Sequence, residues 1–132
     1  MNFTWNTPFK NWITFCEQEN VCERALVWMR DLDEDGLTFG QAAEIYQSQP
    51  SKQSSQCWAA FVIAKYRKKL DAKLRLAFIK KITDPMIAFH IYCDYAPDIT
   101  SEEELYLEGV FKNKLPNAEK QLLDGSVKRV EE

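Results

Sequence analysis

Residues 57–82 and 85–110 carry one apolar pattern at an offset of 28. Ala60-Phe61-x-Ile63 recurs as Ala88-Phe89-x-Ile91. Ala77-Phe78-Ile79-x-x-Ile82 recurs as Leu105-Tyr106-Leu107-x-x-Val110. A period of this length is one helical hairpin. A single hairpin cannot bury its apolar face, so such units stack, and the stack presents a surface rather than a catalytic cleft.

The flanking signals agree with helices throughout. Thr7-Pro8 reads as a cap followed by a first-turn proline, ahead of Phe9, Trp12, Ile13 and Cys16 at helical spacing. Asn20 is a candidate cap for a second helix, with Cys22, Ala25, Leu26 and Met29 on one face. Thr38-x-x-Gln41 reads as a capping box opening a third. The polar stretch 49–55 is the expected mobile loop. A fourth helix is expected from about Gln56 to Lys69, apolar nearly all round in its middle, and hence a buried centre. Asp71 should cap the fifth, Asp84-Pro85 the sixth, and Ser101-x-x-Glu104 the seventh. Leu115-Pro116 opens a short eighth, stopped by Gly125, before a polar tail over 126–132. No stretch alternates like a strand.

The expectation is an all-α fold: seven to eight short helices stacked as two to three antiparallel helical hairpins, a compact bundle or short solenoid. The hairpins would span 20–48, 55–82 and 84–112, with a leading and a trailing helix as caps. Residues 1–125 should form one domain. The matched positions, Ala60, Ala88, Phe78 and Tyr106 among them, should be core.

Thr83-Asp84-Pro85-Met86-Ile87-Ala88-Phe89-His90-Ile91-Tyr92 resembles helical-repeat modules that open each unit with Asp-Pro and follow with Ala-aromatic. These belong broadly to the α-solenoids, such as tetratricopeptide and HEAT arrays. The full tetratricopeptide signature, with its Trp, Leu-Gly and Tyr positions, is missing. The resemblance implies a protein-binding scaffold and carries over no catalytic residue.

Composition narrows the function classes. The chain has 132 residues, 45% hydrophobic and 13% aromatic, enough for a core without a metal or disulfide staple. A formal charge of −3 disfavours wholesale nucleic-acid binding. Cys16, Cys22, Cys57 and Cys93 form no Cys-x-x-Cys pair, and each falls on the apolar side of a helical pattern. They are expected to be buried small hydrophobes in a reducing compartment. The N-terminus lacks a basic stretch followed by an apolar run, and no segment reads as a membrane span, so a cytoplasmic location is expected.

Three features bear on chemistry. Asp31-x-Asp33-x-Asp35-Gly36 matches the start of an EF-hand loop. Loop positions 9 and 12 are then Phe39 and Ala42, so the bidentate Glu is missing. A degenerate calcium-binding protein is thus a distant alternative to a solvated acidic turn. The lone histidine, His90, lies three residues before Cys93, on the same face of a helix, with no third orienting group or oxyanion motif. No cofactor motif is read and no enzyme is expected. Finally, charge is segregated. From Lys65 to Lys81 there are eight basic residues against Asp71 alone, whereas 17–44 holds eight acids against two bases and 94–108 six acids and no base.

The favoured expectation is a non-enzymatic protein-binding module: a small acidic inhibitor or immunity-type protein, of the antitoxin or phage-defence kind. It would block a basic macromolecular target, a toxin or a nucleic-acid-handling machine. The contact candidates are Asp33, Glu34, Asp35, Glu102, Glu103 and Glu104. The alternative is a nucleic-acid-associated factor using a basic face of Lys65, Lys68, Lys69, Lys73, Arg75 and Lys80.

Overall fold

The computed structural model describes residues 2–33 and 36–112. Among these the chain is all-α. Seven helices occur: α1 (Phe9–Gln18), α2 (Glu23–Leu32), α3 (Phe39–Ser48), α4 (Gln53–Tyr66), α5 (Ala72–Ile79), α6 (Pro85–Tyr95) and α7 (Ser101–Phe111). Extended pairing among the described residues is limited to two isolated bridges, Phe3 with Leu70 and Pro8 with Thr38. The expected eighth helix and the tail over 126–132 lie outside the described residues. No described helix is long and apolar enough to cross a membrane.

The chain divides into two compact units. The first comprises Met1–Pro50 and Lys68–Ala77. Here α1 buries Phe9, Trp12, Ile13 and Cys16 at helical spacing. Both α2 and α3 pack on it, and Trp28 meets Tyr46 between α2 and α3 at 5.7 Å. The expected capping helix is therefore the helix on which its unit is built. Phe3 is fully buried against Trp12, Phe15 and Phe39. Burying a phenylalanine stabilises by about 1.5–3 kcal/mol, so the N-terminal segment is anchored by one ring. Phe3 N–H donates to Lys69 O and Asp71 N–H donates to Phe3 O, at 2.7 and 2.9 Å.

Asp71 then uses its two carboxylate oxygens separately. Oδ1 accepts from Leu74 N–H at 2.8 Å, which caps α5 as the sequence implies. Oδ2 accepts from Trp5 N–H at 2.9 Å. The Trp5 indole lies against Gly40, where a Cβ would come within 2.2 Å of the ring. Lys73 Nζ sits 4.1 Å from the indole centroid.

The second unit comprises Ser51–Arg67 and the residues from Phe78 onward. Its centre is α6, which packs against both α4 and α7 and buries Ala88, Phe89, Ile91, Tyr92 and Cys93. The expected 84–112 pair is present as α6 and α7. The expected 55–82 hairpin is not contained in either unit, because α4 belongs to the second and most of α5 to the first. Asp84 caps α6 through Met86 and Ile87 N–H. Gln56 is buried with both ends of its amide engaged: Nε2 donates to Ser51 O, and Oε1 accepts from Thr83 and Asp84 N–H. Such pairing is what makes a buried amide tolerable. Arg67 closes α4 by donating to Ile63 and Ala64 carbonyls and to Asp98, with its guanidinium 4.2 Å above the Tyr95 ring.

Several local expectations shift. Asn20 does not cap α2; it adopts φ 57° just past α1, the left-handed conformation that ends helices. Pro8, not Thr7, is the N-cap of α1, and the Thr7 hydroxyl accepts from Thr4 N–H. The seventh helix is capped by Thr100 and Glu103, one residue earlier than Ser101 and Glu104. The repeat also changes register. Ala59, Val62 and Ile63 are buried in α4 where Ala88, Ile91 and Tyr92 are buried in α6, an offset of 29. Ala60 and Tyr106 are only partly buried, and Phe61 and Leu105 are 38% and 69% exposed, so these positions are not core.

Candidate functional site

The acidic candidates separate by how each carboxylate is used. Glu102 is exposed and Glu104 half-buried on α7. Glu103 is 1% exposed, and its Oε1 accepts from Thr100 N–H at 2.7 Å while its own N–H donates to the Thr100 hydroxyl. It completes a capping box and cannot touch a partner from that position, which corrects the expectation that it acts with Glu102 and Glu104. Nearby, Asp98 binds Arg67 at 2.8 Å, and Glu108 accepts from the Tyr92 hydroxyl at 2.8 Å.

Around the acidic turn, Asp33 is half-buried, and its buried Oδ1 has no hydrogen-bond partner among the described residues. Glu34 and Asp35 lie outside the described residues. Gly36 has φ 71°, and its N–H returns to Asp33 O, so the glycine makes the reversal that the sequence implies. Among the described residues no cluster of His, Cys, Asp and Glu is arranged to hold a metal ion. On α1 and α2, Glu17 and Glu23 flank Arg30 at 2.6 and 3.2 Å. The Glu17 hydrogen bond raises the Arg30 pKa, and Arg30 pairs with both carboxylates.

The basic stretch is less uniform than its sequence. Lys65, Lys68, Lys73 and Lys80 are exposed, while Lys69 and Arg75 are half-buried. Lysine ammonium groups lie over aromatic rings at three of these positions: Lys65 over Phe61 and Tyr66, Lys69 over Phe15, and Lys73 over Trp5. Lys81 is fully buried just beyond α5, and burial lowers its pKa. Arg67 is occupied by Asp98. The stretch is also divided, with Lys68, Lys69, Lys73 and Arg75 in the first unit and Lys65 and Lys80 in the second.

His90 is exposed and Cys93 is buried, so the two do not share an accessible face as their spacing suggested. Of the cysteines, Cys16 and Cys93 are buried as expected, but Cys22 and Cys57 are exposed. Burial first, then the charges of Glu19 and Glu17, push the Cys16 thiol up to about 12, which leaves it protonated and unreactive.

Two faces of the second unit emerge that the repeat had assigned to the core. On α4, Cys57, Phe61, Ala64 and Lys65 are exposed and Trp58 is half-buried. Trp58 stacks on Phe61 at 5.6 Å with 25° between the rings. On α7, Leu105 stands 69% exposed, with Glu102 and Gly109 exposed one turn either side. Nothing in the sequence signalled the exposure of Phe61 or Leu105; it showed only that each face lies in a segment carrying one sign of charge. No Asp or Glu occurs between Glu44 and Asp71, and no Lys or Arg between Lys81 and Lys112.

No protein-family model, no curated protein and no solved structure matches this chain.

Proposed function

We propose that the chain is a non-enzymatic protein-binding module on a helical-repeat scaffold of the tetratricopeptide or HEAT sort. It is read as a small acidic inhibitor or immunity-type protein. The exposed face of α7 engages a basic, apolar-faced helical target on a toxin or nucleic-acid-handling machine and occludes it. The observation that carries this reading is Leu105, 69% exposed on a helix whose exposed and half-buried charges, Glu102, Glu104 and Glu108, are all acidic. An apolar anchor rimmed by carboxylates suits a partner carrying apolar and cationic side chains on one stripe. The anchor contributes most of the affinity and the charges steer the encounter and fix its orientation.

The contact set is Glu102, Glu104 and Leu105, with Asp33 as a candidate in the first unit. Quantitative affinity capture from the native host tests the reading, comparing wild type with Glu102→Lys/Glu104→Lys and with Lys68→Glu/Lys73→Glu. The acid-reversal variant should lose its captured partner by about tenfold or more, and the lysine variant should retain it. Retention of every partner by the acid-reversal variant refutes the reading. Loss confined to the lysine variant, sensitive to nuclease treatment, supports the nucleic-acid alternative instead.

A further inference from the structure

We propose that the α4 face is a docking site for the α7 face of a second copy of this chain. The proposal rests on the α7 reading above for one of its two surfaces and adds the other. On α4 the exposed stripe runs through Cys57, Phe61, Ala64 and Lys65, with Trp58 stacked beneath Phe61. These positions recur at the spacing of one helix face and extend for about 12 Å along the axis. On α7 the exposed stripe runs through Ser101, Glu102, Leu105 and Gly109, again about 12 Å.

The chemistry of the two stripes is complementary. The α4 stripe is aromatic and cationic and belongs to a segment with no carboxylate. The α7 stripe is aliphatic and anionic and belongs to a segment with no Lys or Arg. Each stripe also has residues that let a second helix approach closely. Ala64 and Cys57 flank the aromatic pair, and at Gly109 a Cβ would meet nothing within 4 Å. The chain thus displays on α4 the apolar and basic surface that α7 is read to bind.

Each copy has one stripe of each kind, so a single α4–α7 contact leaves one of each unused, open to the reciprocal contact within the same pair or to a further copy. Two turns of helix on each side bury less than a standard interface, so association is weak and concentration-dependent. Screening makes it weaker still at high salt.

Sedimentation velocity on the full chain, from about 10 μM to about 1 mM, provides the test. The wild-type mean mass should rise with concentration above that of the monomer. Phe61→Glu and Leu105→Lys should each stay monomeric alone. An equimolar mixture of these two should form a one-to-one pair, since one supplies an intact α7 face and the other an intact α4 face. A wild type that stays monomeric over the whole range overturns the proposal. So does association in either variant at the wild-type level, or a mixture that remains monomeric. The exposed pair Lys65→Glu and Glu102→Lys gives the same comparison should the first pair lose its far-UV helical signal. The acid-reversal capture experiment, repeated in the Phe61→Glu background, tests the basic-target reading independently of self-association.

Discussion

Asp71 is the residue whose removal should reveal most about how the first unit is held. One oxygen caps α5 through Leu74 N–H, and the other holds Trp5 N–H, 66 residues away in sequence. Loss of a helix N-cap costs about 1 kcal/mol, within a range of 0.5–2. Leaving the partly buried Trp5 N–H without its acceptor costs about 1–3 kcal/mol. Asp71→Ala should therefore destabilise by about 2–4 kcal/mol. Asp71→Asn separates the two contributions. Asparagine is as good a cap as aspartate, but its amide nitrogen would replace one acceptor with a donor. With its oxygen toward Leu74, only the Trp5 contact is lost, for about 1–3 kcal/mol. Urea denaturation at pH 7, followed by tryptophan fluorescence and by far-UV circular dichroism, measures both. Hydrogen exchange at the Trp5 and Leu74 amides locates the effect: Asp71→Asn should speed exchange at Trp5 and leave Leu74 protected. Equal stability of Asp71→Asn and wild type would refute the two-oxygen clasp, and a cost below about 0.5 kcal/mol for Asp71→Ala would refute the whole argument.

Four further expectations concern other features. Gly40→Ala places a methyl against the Trp5 indole and should cost about 1–3 kcal/mol, with a fluorescence shift that Trp5→Phe abolishes. Glu103→Ala should lower stability by about 1–2 kcal/mol, because it opens the α7 capping box. Glu102→Ala should stay within about 0.5 kcal/mol; thermal melts of the pair check this. Cys16 carries a thiol pKa raised to about 12 in the folded chain, against about 8.5 unfolded. Between those values the unfolded state releases its proton first. The stabilisation is thus complete below about pH 8.5 and falls as pH rises toward 12. Urea midpoints at pH 7 and pH 10.5 should drop less for Cys16→Ala than for wild type. Under native conditions iodoacetamide should modify Cys22 and Cys57 while sparing Cys16 and Cys93.

Local signals in the sequence translated well where they depended on one turn of chain. The capping box at Thr38 and Gln41, the Asp84-Pro85 helix start and the Asp71 cap all occur. These motifs satisfy backbone donors within three residues, although the same kind of signal at Thr7, Asn20 and Ser101 misplaced a cap. The α1 stripe was equally legible because it alternates cleanly with polar residues. The α4 face was not. Its middle is apolar on nearly every side, and periodicity cannot choose a buried face when all faces are alike. The 28-residue match therefore landed one residue off and assigned Phe61 and Leu105 to the interior. Trp5 and Phe3 lay beyond reach for another reason: their partners, Gly40, Lys69 and Asp71, are distant in sequence. The candidate acids were identified by composition, and composition does not distinguish Glu103, inside a capping box, from Glu102, exposed beside it.

The ties from Phe3 and Trp5 to Lys69 and Asp71 also bear on the order in which the protein can form as it is made. A ribosome releases residues from the N-terminus first, at about 5–20 per second. The first fifty residues emerge with Phe3 N–H lacking the Lys69 carbonyl and Trp5 N–H lacking the Asp71 carboxylate until the segment around Asp71 is out. Synthesis of α4 falls in that interval, so the first unit spends about 1–4 s with its N-terminal aromatics unclasped. A chain halted at Pro50 would hold that state permanently, and ribosome-bound chains ending before and after residue 77 should differ sharply in protease resistance at the N-terminal segment.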